Sequence, residues 1–199
     1  MGERIKVGID VDGVLADFIT AFMVEANALF NIPVVSMFTD WNYGGTGITE
    51  AQADAVWEKL KNTSNWWLRE VDMLPETDGL SELDKKALCY FITSRGPTVG
   101  DPVEKQTAQW LRANFGLFTP TVIVMDLPSQ KVPLAKALTL DYFIDDKPST
   151  CKQMANAGLK SYVKDALYNK DVNLPRVATF NDFVEEVLRG RGQLCPTLT

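Results

Sequence analysis

Strand-like and helix-like segments alternate along nearly the whole chain, and this alternation limits the folds open to it. Arg4 to Asp10 reads as an apolar strand, Ala87 to Thr93 as a buried one, and Thr121 to Met125 as a short third. Tyr142 to Asp145 is a fourth, and Lys160 to Val163 a weak fifth. Between them, helical spacing of apolar residues predicts helices over Leu15 to Phe30, Thr77 to Lys86, Asp101 to Phe115, Gln130 to Leu138 and Ser149 to Ala157. Asn181 to Leu188 closes the series, and the tail from Arg189 to Thr199 reads as loose. Strands alternating with helices imply a parallel sheet covered on both faces, hence an α/β, doubly wound, mainly parallel fold. A chain of 199 residues, 46% of them hydrophobic, suffices for one such domain with a small appended subdomain.

The appended part is residues 31–75, where the alternation breaks. Asn31-Ile32-Pro33 stops the first helix, and the stretch that follows carries Trp41, Tyr43, Trp57, Trp66 and Trp67. One helix is predicted within it, Thr49 to Lys61, with Thr49 as N-cap. Residues 1–30 and 76–199 then form the main domain.

Chemistry enters at the end of the first strand, in Asp10-Val11-Asp12-Gly13. Residues i and i+2 of an extended segment point the same way. Two like charges crowded there need a cation between them or a proton on one of them. A plain Asp-Gly turn is the alternative for this tetrapeptide by itself. Three further strand ends carry signals of the same kind. The second strand ends in Thr93-Ser94-Arg95-Gly96, Lys131 follows the third after a short loop, and the fourth ends in Asp145-Asp146-Lys147-Pro148. Each has an ordinary explanation when taken alone: a turn, a solvated helix lysine, a helix cap. In a parallel sheet, however, all four converge on the crevice at the carboxyl ends of the strands. Oxygen ligands without His or Cys there point to Mg²⁺.

Composition removes rival chemistries. The chain has no histidine, so there is no Ser-His-Asp triad, phosphohistidine chemistry or His-ligated zinc, and acid–base work falls to carboxylates. The three cysteines, Cys89, Cys151 and Cys195, lack metal-ligand spacing and read as free thiols of a cytoplasmic protein. A net charge of −6 without a basic stripe argues against polymeric nucleic acid, and no apolar run is long enough to span a membrane. Cys89-x5-Arg95 fits the phosphate loop of cysteine phosphatases in spacing only, because Cys89 lies inside an apolar strand. Gly44-Gly45-Thr46-Gly47 lacks the following Lys of a P-loop.

Asp10-Val11-Asp12-Gly13-Val14, Ile92-Thr93-Ser94, Lys131 and Ile144-Asp145-Asp146 resemble the four motifs of the haloacid dehalogenase superfamily of phosphohydrolases. Asp12-Gly13-Val14-Leu15-Ala16-Asp17-Phe18, with Thr93-Ser94 and Asp145-Asp146-Lys147, is similar to its 5′(3′)-deoxyribonucleotidase branch. The resemblance implies a Rossmann-like sheet with a small helical cap inserted after the first strand–helix unit. It implies hydrolysis of a deoxyribonucleoside monophosphate through an aspartyl-phosphate. Asp10 would be the nucleophile, Asp12 the general acid and base, and Asp10, Asp12 (through its carbonyl) and Asp146 the Mg²⁺ ligands, with Asp145 beside them. Lys131 would neutralise phosphate charge, with Lys136 as a competitor for that role. Thr93 and Ser94 would bind phosphate oxygens, with Arg95 and Lys105 as further substrate contacts. Phe18 and Trp41 would face sugar or base. The partner is then a small phosphomonoester, and a homodimer is compatible with the sequence. A phosphatase for a sugar phosphate, a phosphoaspartate signalling domain and a nucleotide-binding domain without turnover are the rival readings.

Overall fold

A computed structural model describes residues 4–40, 43–170 and 172–193. Six strands form a single sheet: β1 Lys6–Ile9, β2 Leu88–Thr93, β3 Thr121–Val124, β4 Tyr142–Asp145, β5 Lys160–Lys164 and β6 Arg176–Val177. Their order is β3-β2-β1-β4-β5-β6, and every pairing is parallel. The helices are α1 Phe18–Phe30, α2 Glu50–Asn62, α3 Trp66–Arg69, α4 Leu80–Lys86, α5 Val103–Phe115, α6 Lys131–Ala137, α7 Pro148–Asn156 and α8 Phe180–Gln193.

Side-chain alternation divides the interior into two cores. Phe91 and Ile144 point to one face, joining Val7, Ile9, Phe22, Leu83, Trp110 and Phe183. Their neighbours Ile92 and Phe143 point to the other, against Ala135 of α6 and Met154 of α7. Both faces are thus covered, as a parallel sheet requires. Gly8 belongs to this packing: a Cβ there would sit 2.5 Å from the Phe143 ring, so glycine lets that ring pack closely against β1.

The chain builds β1, β2 and β3 outward in one direction and then crosses back to place β4 on the other side of β1. The reversal opens a crevice between the carboxyl ends of β1 and β4, the usual place for a ligand in such sheets. Asp10 immediately follows β1, and Asp145 ends β4.

Several elements differ from the sequence reading, each for a local reason. The helix predicted from Leu15 begins at Phe18, because Val11 O accepts from the amides of Leu15 and Ala16 in a tight turn. The Asp17 carboxylate then caps α1 through Thr20 N. The helix predicted from Thr77 begins at Leu80, after a turn in which Leu80 N donates to Thr77 O. The helix predicted from Asp101 begins at Val103, after Pro102. The expected loose tail is helical through Gln193, since α8 continues past Leu188. Thr49 does cap α2, in a reciprocal capping box with Gln52.

The end of the segment 31–75 is tied to the residues just before α1. Asp17 N donates to Asp72 O and Leu74 N to Leu15 O, and Ala16 bridges to Met73. Within the segment, Trp66 and Trp67 are buried, and Phe22 of α1 stacks on Tyr43 at 5.2 Å.

Candidate active site

The loop that follows β1 turns sharply at Gly13, whose φ is 75°. A Cβ at that position would come within 2.1 Å of an Asp146 oxygen, so the glycine brings the loop against the end of β4. Asp10, Asp145 and Asp146 are all buried here, with carboxylate oxygens within 4.8 Å of one another. Lys131, the first residue of α6 and itself buried, reaches into the cluster. Its Nζ lies 2.9 Å from Asp10 Oδ1 and 2.8 Å from Asp145 Oδ2. Lys136 is exposed in the last turn of α6, so Lys131 is the lysine among the acids.

Each carboxylate has a distinct setting. Asp10 Oδ1 accepts from Val11 N at 2.8 Å as well as from Lys131, while Oδ2 accepts from none of the described residues. Each oxygen of Asp145 has one donor: Oδ2 faces Lys131, and Oδ1 accepts from Lys147 N at 2.8 Å. Asp146 accepts from the Tyr168 hydroxyl, and its backbone oxygen accepts from Asn169 Nδ2 at 2.8 Å. Burial pushes the Asp10 carboxyl up to about 7, opposed by Lys131 and reinforced by Asp145 and Asp12. Burial raises Asp146 too, with Asp145 and Asp10 adding to it. Burial works against the Lys131 ammonium, but Asp10 and Asp145 more than offset it and raise its pKa.

Burial is the largest cause of both raised carboxyls, and the crowding of three buried carboxylates around Lys131 adds to it. The donor set suits a small divalent cation in kind: hard carboxylate oxygens only, gathered within 4.8 Å of one another. Asp10 Oδ2 and Asp146 Oδ1 accept from none of the described residues, which leaves these two acids the most open to a cation such as Mg²⁺.

Asp12 stands outside this triad and pairs with Arg95. Arg95 Nε lies 3.2 Å from its Oδ1 and 3.0 Å from its Oδ2, and Arg95 Nη2 lies 2.8 Å from Oδ1. Thr93 Oγ1 is 3.5 Å from Oδ2. Ser94 Oγ is buried without a hydrogen-bond partner among the described residues. An orphaned hydroxyl beside the acids suits an anionic oxygen of a ligand.

The cleft over these groups has an apolar side wall that includes Phe18, Tyr43, Trp57 and Trp67. Phe18 stacks on Trp57 with centroids 5.4 Å apart. Asp10, Asp12, Phe18, Thr93, Ser94, Arg95, Lys131, Asp145 and Asp146 therefore meet at one cleft. Lys105 does not line it; its ammonium is exposed and pairs with Asp101 at 2.9 Å. Trp41 lies outside the described residues. Tyr168, also on the cleft, and Asn169 escaped the sequence reading. They occupy a three-residue 3₁₀ turn, Leu167–Asn169, in a stretch with neither periodicity nor a recognisable motif. Cys89 is no rival nucleophile, since burial pushes its thiol up to about 12.

No family model matches the chain. Among curated proteins it is 24% identical over 185 residues to a Bacillus cereus protein described as "Putative nucleotidase", covering 89% of this chain and 95% of the relative. It is 30% identical over 101 residues to "Putative nucleotidase OB0422" of Oceanobacillus iheyensis, covering 50% of this chain and 52% of that one. Among solved structures, an L-2-haloacid dehalogenase aligns over 93% of this chain and 100% of its own, with 13% identity and a TM-score of 0.55. A haloacid dehalogenase-like family hydrolase from Xanthomonas campestris aligns over 96% of this chain and 93% of its own, with 12% identity and a TM-score of 0.54. With its sheet order, its acid-lined crevice and these end-to-end structural likenesses, the chain has the fold of the haloacid dehalogenase-like hydrolases.

Proposed function

We propose that this chain is a Mg²⁺-dependent phosphomonoesterase that hydrolyses deoxyribonucleoside monophosphates through an aspartyl-phosphate on Asp10. The observation that carries the reading is the setting of Asp10 at the switch point of the sheet. One of its oxygens is fixed by Lys131 and Val11 N, while the other is open.

Asp10 Oδ2 attacks phosphorus, the Asp10 O–P bond forms and the bond to the ester oxygen breaks. Asp12 gives its proton to the departing alkoxide, then takes one from the water that attacks the phosphoaspartate and frees Asp10. Lys131 fixes Asp10 in line and offsets charge on the transferring group. Thr93 and Ser94, at the end of β2, supply donors to the phosphate oxygens. A bound Mg²⁺, held by Asp10 and Asp146, supplies electrostatic neutralisation of the phosphate dianion against the carboxylates. The oxygen-only donor set and the excess of buried acid over base support that assignment.

Residues 31–75 act as a cap whose aromatic side chains receive the leaving nucleoside. The tie of Asp72 and Leu74 to the residues before α1 and the wall of Phe18, Tyr43, Trp57 and Trp67 support this part of the reading. Aromatic faces hold bases by stacking. The likeness to nucleotidase-named relatives favours a nucleotide over other esters.

The test is phosphate release from a panel of nucleoside 5′- and 3′-monophosphates and sugar phosphates, with Mg²⁺ and with EDTA. We expect turnover of deoxynucleotides, loss of it in EDTA, and loss in Asp10→Asn. Turnover restricted to sugar phosphates would remove the nucleotidase assignment, and an active Asp10→Asn variant would remove the mechanism.

A further inference from the structure

We infer that Arg95 is a positioning residue for Asp12, locked in place by two tryptophans, and that it does not bind the substrate phosphate. The inference rests on the reading that Asp12 moves the proton.

The Arg95 side chain is fully buried, and all three of its guanidinium nitrogens are committed within the protein. Nε and Nη2 form a fork on the Asp12 carboxylate, at 2.8–3.2 Å, and Nη1 donates to Thr107 Oγ1 at 3.1 Å. The guanidinium carbon sits 4.7 Å from the ring centroid of Trp67 and 5.7 Å from that of Trp110. Both rings are themselves fixed. Trp67 Nε1 donates to Gly96 O at 2.8 Å, and Trp110 Nε1 to Val71 O. A phosphate in the cleft would reach Arg95 only by breaking the pair with Asp12 and drawing the guanidinium out of its aromatic slot.

A bidentate fork fixes a carboxylate in both position and plane, which a lysine ammonium cannot do. Asp12 remains 23% exposed on its side chain, so the acid is immobilised while still open to the cleft. The device also joins parts of the chain that sequence keeps far apart. Trp67 comes from the inserted segment, Trp110 and Thr107 from α5, and Arg95 from the loop after β2. The proton-transferring group therefore takes its geometry from the insert as well as from the sheet.

Steady-state kinetics of the full chain with Mg²⁺, paired with orthovanadate affinity as a measure of the phosphate subsite, test the inference. Arg95→Met is expected to lower kcat on a phosphomonoester by on the order of 100-fold, the scale of lost acid–base assistance. KM and vanadate affinity should stay within about twofold, because the clamp touches neither phosphate nor cation. Arg95→Lys keeps the charge but loses the fork, and should lose kcat in the same way; it carries the test if the methionine variant does not fold. A variant with wild-type kcat, or one in which vanadate affinity falls in step with kcat, overturns the inference. A wild-type chain that releases no phosphate from any ester counts instead against the phosphatase reading.

Discussion

Lys131 is a buried ammonium paired with two buried acids, Asp10 and Asp145, with Asp146 beside them. Removing one partner from a buried ion cluster leaves charges that nothing else neutralises, at a cost of about 3–5 kcal/mol. Lys131→Met is therefore expected to lose that much stability in chelating buffer, while Lys136→Met, on the exposed side of α6, stays within about 0.5 kcal/mol of wild type. Urea denaturation of both variants decides, and equal midpoints would refute the assignment of Lys131. The thiols offer a second residue-level check. Burial holds Cys89 and Cys151 well above the usual thiol range, so neither is nucleophilic near neutrality. Iodoacetamide at pH 8 should leave both unmodified in the native protein, as read by peptide mass spectrometry, and modify both once urea is added.

At the level of elements, the 3₁₀ turn Leu167–Asn169 holds Asp146, one end of the proposed cation site. Burial and the Asp146 charge raise the Tyr168 phenol, which keeps it a hydrogen-bond donor to that carboxylate. Partners of this kind commonly change metal affinity by about 10–100-fold. Tyr168→Phe should weaken Mg²⁺ binding by about tenfold in calorimetric titration without unfolding the chain, and unaltered affinity would show that Asp146 needs no such support. This turn also marks the limit of what sequence reading could reach. Asp10, Thr93, Ser94, Asp145 and Asp146 were legible because each stands at the end of an apolar strand, where chain direction alone brings them together. Lys131 was legible by the same logic, since it follows β3 closely. Tyr168 and Asn169 follow no periodic segment, and β6, with two residues, is too short to announce the strand they precede. The Arg95–Asp12 pair spans 83 positions, and its aromatic slot draws on two further segments, so the sequence placed Arg95 at the site but not its partners.

The whole molecule carries a net charge of −6 and concentrates buried carboxylates at one point, which links its stability to pH and to divalent cations. A carboxyl whose native pKa lies above its unfolded value binds more protons folded than unfolded. Its contribution is complete below about pH 4 and is lost as pH rises through the native value. Asp10, at about 7, and Asp146, raised for the same reasons, both act in this sense. Glu82, Asp165 and Asp182 are lowered by their hydrogen-bond partners and act with the opposite sign, but only as pH falls below about 4. Between about pH 4 and 7 the site acids therefore set the slope, and the Tm in EDTA should fall as pH rises. A cation held by Asp10 and Asp146 binds their ionised forms, so Mg²⁺ should reverse this fall, adding about 2.7 kcal/mol at a hundredfold excess over its Kd. Asp10→Asn separates the two effects, because it removes one of the crowded charges together with the proposed nucleophile. In EDTA at pH 8 that variant should melt above the wild type while turning over no substrate, and Mg²⁺ should stabilise it less. Scanning calorimetry of the two proteins across this range, with and without Mg²⁺, measures all three quantities. A wild-type Tm that rises with pH in EDTA, or an Asp10→Asn variant that melts below it, would show that the buried acids are neutralised by something other than a bound cation.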